Sequence, residues 1–171
     1  LSMQGDPINE LNAGVRMFID EIISDDMTRY SADIAILTFG GIVEQVFEFG
    51  SIEEQQIPEF RARSTTPMAA AVLEAITLLE NRKNAYKSNG VDYFQPWIVL
   101  MTDGTPTDEL SVINEATSKT QELINNKKLT MFTIGIGDDV DMDFLEQFGA
   151  SPTKLQGLKF NEFFQWLSQS V

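Results

Sequence analysis

Residues 97–101 read WIVLM and residues 129–137 read LTMFTIGIG, two short apolar runs suited to buried strands. The stretch between them, DELSVINEATSKTQELINNKK (108–128), has helical spacing, with Ile113, Ala116, Thr120 and Leu123 turned inward. Strands that alternate with helices predict a parallel sheet, and such a sheet is covered on both faces. No other feature narrows the choice of fold as much.

The remaining segments fit this frame. GDPINELNAGVRMFIDEII offers Asp6 as N-cap and Pro7 at the first helical position, with Ile8, Leu11, Val15, Phe18 and Ile22 on one face. ADIAILTFG (32–40) and IVEQVFEF (42–49) flank Gly40-Gly41 and predict a β-hairpin. After the polar loop RARSTTP (61–67) a helix starts near Met68, with Met68, Val72, Ile76 and Leu79 on one face. MDFLEQFG is a short helix, TKLQGL an edge strand, and NEFFQWLSQSV a terminal amphipathic helix whose aromatic residues pack inward. The expected fold is a three-layer α/β/α domain with a mostly parallel central sheet and one antiparallel edge strand. A chain of 171 residues suits one domain.

Composition removes several functions. The net charge of −14 repels nucleic acid and anionic membranes, so neither is an expected partner. With no histidine and no cysteine, the chain lacks the usual parts of hydrolase triads, thiolate chemistry and most zinc sites. No apolar run reaches the roughly 18 residues of a membrane-spanning helix, and no signal peptide is visible. The first residue is Leu, which predicts a piece of a longer gene product.

WIVLM runs directly into Thr102, Asp103, Gly104 and Thr105. Ligands of parallel sheets sit at the carboxyl ends of strands, where Asp103 is expected to lie. Three polar loops, LSMQGD (1–6), RSTTPM (63–68) and MTDGTPT (101–107), each precede a helix and offer hydroxyls or carboxylates. Oxygen donors of this kind suit a hard cation, Mg²⁺ or Mn²⁺. Each residue also has a plainer use: Asp103 as a cap or turn residue, Thr66 as an N-cap ahead of Pro67, Ser2 as part of a loose terminus. GIGDD (135–139) lacks the glycine spacing of a dinucleotide loop, and DDVDMD (138–143) lacks the Gly and distal Glu of an EF-hand, which leaves a solvated helix start.

SMQGDPINELNAG, STTPMAAAV and IVLMTDGTPTDE together resemble the von Willebrand factor A family. The resemblance implies a Rossmann-like fold and a divalent cation held at a metal-ion-dependent adhesion site (MIDAS). The family's ligands are an Asp-x-Ser-x-Ser motif after the first strand, a later Thr, and an Asp after the fourth strand. Carried over, they fall on Ser2 (the last Ser of the motif), Thr66 and Asp103. The first strand, with the Asp and first Ser, would lie before Leu1.

IGIGDDVD and LKFNEFFQWLSQS look like the TerY-like subgroup, linked to bacterial tellurite-resistance and stress-response operons. This implies a non-enzymatic, cytoplasmic adaptor that binds a protein through an acidic residue offered to the metal. A kinase or phosphatase of the same system is the implied partner. VLMTDGTPTD also superficially resembles the Asp-x-Asp-Gly-Thr motif of haloacid dehalogenase phosphotransferases, but Met101 stands where the nucleophile belongs.

Overall fold

The computed structural model describes residues 6–63, 65–138, 140–149, 151–155 and 160–170. In chain order the elements are α1 (Asp6–Ser24), α2 (Asp26–Ser31), β1 (Ile36–Gly40), β2 (Ile42–Phe47), α3 (Met68–Ser88), β3 (Trp97–Thr102), α4 (Leu110–Asn125), β4 (Thr130–Ile136), α5 (Met142–Glu146), β5 (Thr153–Leu155) and α6 (Phe160–Ser170). The expected α/β class and parallel sheet are present. Helix α2 has no counterpart in the sequence expectations. Its signal was Asp25, whose carboxylate accepts from the Thr28 amide at 2.7 Å, a bond that holds the carboxyl below its usual pKa.

β3, β4 and β5 form a parallel sheet in that order, in register from Trp97↔Thr130 to Thr102↔Gly135 and from Ile134↔Thr153 to Ile136↔Leu155. The expected hairpin is present as well: among the described residues β1 and β2 form an antiparallel two-stranded sheet of their own. Among the described residues β1 pairs only with β2, and β3 only with β4. The hairpin turns at Gly41, whose φ of 84° favours glycine. Gly40 is small for another reason: a Cβ there would stand 2.7 Å from the Arg63 Cβ.

Strand alternation divides the core in two. Ile98 and Leu100 of β3 and Met131 of β4 face α3, α4 and α5, packing on Met68, Val72, Ile76, Ala116, Phe144, Leu145 and Phe148. Val99 and Met101 of β3 and Ile134 and Ile136 of β4 face α1 and α6, packing on Phe18, Ile19, Ile22, Phe164 and Leu167. Each such side chain, fully buried, contributes about 1.5–3 kcal/mol. The inward faces expected of α1, α3 and α4 are therefore the ones that bury. In α6 the aromatic residues divide. Phe164 is buried against Phe18, whereas Trp166 remains about half exposed and meets the Phe132 ring edge-on at 5.6 Å.

Gly135 shows how tightly α5 closes one layer. A Cβ there would lie 2.5 Å from Met142 Sδ and 2.9 Å from Val140 Cγ1. The thioether can swing away, but the valine methyl cannot. Gly135→Ala is expected to cost about 1–2 kcal/mol, read as a fall of roughly 3–6 °C in a thermal melt.

Candidate metal centre

Thr66 and Asp103 arrive from different parts of the chain. Asp103 follows the last residue of β3, at the carboxyl end of the parallel sheet, and is half-buried. Thr66 ends the loop that leads into α3 and is also half-buried. Its hydroxyl faces the Asp103-Gly104 turn: a Cβ placed on Gly104 would stand 3.8 Å from Thr66 Oγ1. Thr65 turns the other way, its hydroxyl 4.0 Å from a Cβ placed on Gly41. Of the two threonines, Thr66 is the one whose hydroxyl lies on the side of Asp103. Ser2 lies outside the described residues.

Neither residue serves the local helix-capping role that the sequence also allowed. Pro67, expected at the first helical position, occupies the N-cap of α3, and no side chain caps that helix from within its own segment. The cap comes from Asp108, whose two carboxylate oxygens accept from the amides of Ala69 and Ala70, both at 3.0 Å. The sequence placed Asp108 inside the next helix. That helix, α4, starts only at Leu110 with Glu109 at its N-cap, so Asp103 does not occupy its cap position either.

The same loop holds the Thr66 backbone. The Thr66 amide donates to Thr107 Oγ1 at 3.0 Å, and the Thr107 amide returns a bond to the Thr66 carbonyl at 2.9 Å. That carbonyl also accepts from the Met68 amide at 2.7 Å. On its far side the Thr66 loop leans on the hairpin, where the Gly41 amide donates to the Thr65 carbonyl at 3.3 Å. Thr107 and Asp108 were missed as site-building residues. Hydroxyl and carboxylate side chains just ahead of a helix were visible, but their nearest helix in sequence was not the one they serve.

The donors at this corner are a hydroxyl and a carboxylate, which fit a hard cation. Among the described residues no group of three or more His, Cys, Asp or Glu side chains is placed to hold a metal. An ion here would rest on hydroxyls with little carboxylate neutralisation. It would keep net positive charge and Lewis acidity toward an incoming carboxylate. The phosphotransferase alternative finds no support at its central position, since Met101 packs its side chain into the α1/α6 core. The acids near residue 140 have structural uses: Asp141 caps α5 by accepting from the Phe144 amide at 2.9 Å, and Asp138 pairs with Lys154 at 3.0 Å. Asp139 lies outside the described residues.

A parallel sheet flanked by helices, with hydroxyl and carboxylate loops at its carboxyl edge, is the arrangement expected of the von Willebrand factor type A class. The chain belongs to that family: the family model for the von Willebrand factor type A domain matches residues 2–166. Among solved structures it is similar to proximal thread matrix protein 1 from the mussel byssus, at 15% identity and a TM-score of 0.62, over 94% of this chain and 42% of that one. It is similar to the ArnB paralog VWA2 from Sulfolobus acidocaldarius, at 17% identity and a TM-score of 0.58, over 98% and 41%. It also matches the SpRpn10 VWA domain, at 10% identity and a TM-score of 0.60, over 94% and 83%. The chain thus spans about two fifths of the mussel and archaeal proteins. The mussel protein has also been solved with zinc in its MIDAS motif. No curated protein matches the chain by sequence. Domains of this family are generally interaction modules rather than enzymes. Among the described residues no helix is long and apolar enough to cross a membrane.

Proposed function

We propose that this chain is a metal-ion-dependent protein-binding module in which Ser2, Thr66 and Asp103 contribute to one site for Mg²⁺ or Mn²⁺. The observation that carries this reading is the meeting of the Thr66 hydroxyl with the Asp103-Gly104 turn at the carboxyl end of the sheet. Both residues could have been plain caps, and other residues fill those positions. An ion held mostly by hydroxyls keeps an exchangeable water, and a partner's Asp or Glu displaces it in a charge-assisted contact. The chain's net charge of −14 repels acidic surfaces at long range, so a suitable partner is basic away from the residue it offers.

The family's remaining ligands, an Asp and a Ser, would come from a strand seated between β1 and β3 that joins the two sheets. Among the described residues one side of β1 and one side of β3 have no strand partner, and no residue of β1 is fully buried, which supports this. An uncovered strand edge is otherwise a template for aggregation. In biological terms the chain is a TerY-like cytoplasmic adaptor in a bacterial tellurite-resistance or stress-response system, with a kinase or phosphatase of that system as partner. The resemblance of IGIGDDVD and LKFNEFFQWLSQS supports this assignment.

Calorimetric titration of the full-length protein with Mn²⁺ tests the site. One ion per chain is expected, and Thr66→Val should weaken it at least tenfold. Binding of equal strength in the variant overturns the assignment of Thr66. The module should also turn over no p-nitrophenyl phosphate, since Met101 stands where a phosphotransferase nucleophile belongs and the chain has no His or Cys. Hydrolysis that disappears with Asp103→Ala would instead favour phosphoryl chemistry.

A further inference from the structure

We propose that Thr107 and Asp108 are positioning residues for the metal centre, a clamp that fixes the Thr66 hydroxyl against the Asp103 turn. This inference rests on the metal reading above and adds residues that are not ligands in it. Four hydrogen bonds make the clamp. Two run in opposite directions between Thr66 and Thr107, backbone amide to hydroxyl oxygen and backbone amide to carbonyl, at 3.0 and 2.9 Å. Two run from Ala69 and Ala70 to the Asp108 carboxylate, both at 3.0 Å.

Their placement matters more than their number. Thr107 and Asp108 belong to the same short loop as Asp103, four and five residues further on. Thr66, Ala69 and Ala70 belong to the other arm of the site. Every clamp bond therefore joins the arm carrying the carboxylate to the arm carrying the hydroxyl. The Thr66 backbone is held at both its N–H and its C=O, which leaves its side chain only rotation about χ1. Asp108 fixes the first turn of α3, so the arm behind Thr66 is a rigid helix rather than a loop end. The helix supplies the driving force, because its first amides have no partner within the helix and favour an anion. Capping across the fold thus aligns two ligands from segments 37 residues apart in sequence. Groups that orient metal ligands without touching the metal commonly control affinity by 10- to 100-fold.

The test compares Asp108→Ala, Asp108→Asn and Thr107→Val with wild type in the full-length protein. Mn²⁺ affinity is read by calorimetry, and amide hydrogen exchange at residues 66–70 is read without metal. Asp108→Ala is expected to weaken Mn²⁺ by about 10- to 100-fold and to speed exchange at Ala69 and Ala70. Asp108→Asn keeps one acceptor oxygen and should fall between the two. Asp33→Ala serves as the control: it breaks the ion pair with Arg82 toward the far end of α3 and lowers stability without touching the clamp, so its Mn²⁺ affinity should equal that of wild type. If Asp108→Ala fails to fold, Thr107→Val carries the test, since valine keeps the shape and removes the hydroxyl that accepts from the Thr66 amide.

Wild type that binds Mn²⁺ while the folded clamp variants bind it within twofold as tightly overturns the clamp alone. An equal loss of affinity in Asp33→Ala also overturns it, because general destabilisation then explains the effect. Wild type that binds no Mn²⁺ overturns the metal reading and the clamp with it.

Discussion

Asp103→Ala in the full-length protein is expected to abolish the rise in melting temperature that Mg²⁺ or Mn²⁺ gives the wild type, while leaving the metal-free fold standing. An ion that binds only the folded state stabilises it by RT ln(1 + [L]/Kd), about 2.7 kcal/mol at a hundredfold excess over Kd. For a domain of this size that corresponds to a shift of roughly 5–11 °C. Asp103 follows a strand end and is half-buried, so its truncation opens no core cavity. Partner binding should fall in parallel, whereas reversing the charge of exposed Glu115 on α4 should change little. A metal-induced shift of the same size with and without Asp103 would return that residue to a structural role in its loop.

The second large effect is expected at the other end of α3. Asp33, just ahead of β1, accepts through Oδ2 from Arg82 Nε at 2.5 Å and from the Tyr86 hydroxyl, and through Oδ1 from the Gly50 amide at 2.9 Å. The Arg82 guanidinium lies 5.0 Å from the Tyr86 ring centroid, and Tyr86 stacks on Tyr93 at 6.0 Å. One carboxylate thus ties the hairpin and its following loop to the last turns of α3. Tyr86 stands about 27 Å along the helix from Met68, at 1.5 Å per residue, which places this tie far from the metal centre. Asp33→Ala removes three acceptor contacts and leaves a partly buried guanidinium unpaired. The expected loss is about 2–3 kcal/mol, at the low end for a buried pair because the side chains of Asp33 and Arg82 keep 17% and 34% of their surface exposed. Denaturant unfolding measures it; a loss under 0.5 kcal/mol would mean that the three contacts do not couple the hairpin to α3.

The same cluster gives stability a pH dependence. Burial raises the Tyr86 pKa, and the bond to Asp33 raises it further, while the bond to Asp33 is the main cause that raises Arg82. Below the ordinary phenol value near 10, Tyr86 is protonated in both the folded and the unfolded chain, and its contribution is complete. As pH rises past that value the unfolded chain loses the proton first, so stability falls until the folded phenol ionises too. Unfolding free energies between pH 8 and 11 should therefore drop more steeply in wild type than in Tyr86→Phe. Parallel curves would remove Tyr86 as the source.

Much of this protein was legible from local pattern. The spacing of Met68, Val72 and Ile76 set the buried face of α3, and the run WIVLM set β3, because helix and strand periods impose themselves within a few residues. Strands alternating with helices fixed parallel pairing. Hydroxyls and a carboxylate ahead of helix starts marked the loops worth examining, and Thr66 does face the Asp103 turn.

Tertiary structure decided the rest. Asp108 reads in sequence as the start of its own helix and instead caps α3, 38 and 39 residues upstream. Pro67 takes the N-cap that sequence offered to Thr66. Asp33 gives no local sign that its partners are Arg82 and Tyr86. The physical reason is common to all of them. Periodicity is a property of neighbours along the chain. Which amide a carboxylate satisfies, and which strand edge finds a partner, depends on segments that only folding brings within 3 Å of each other.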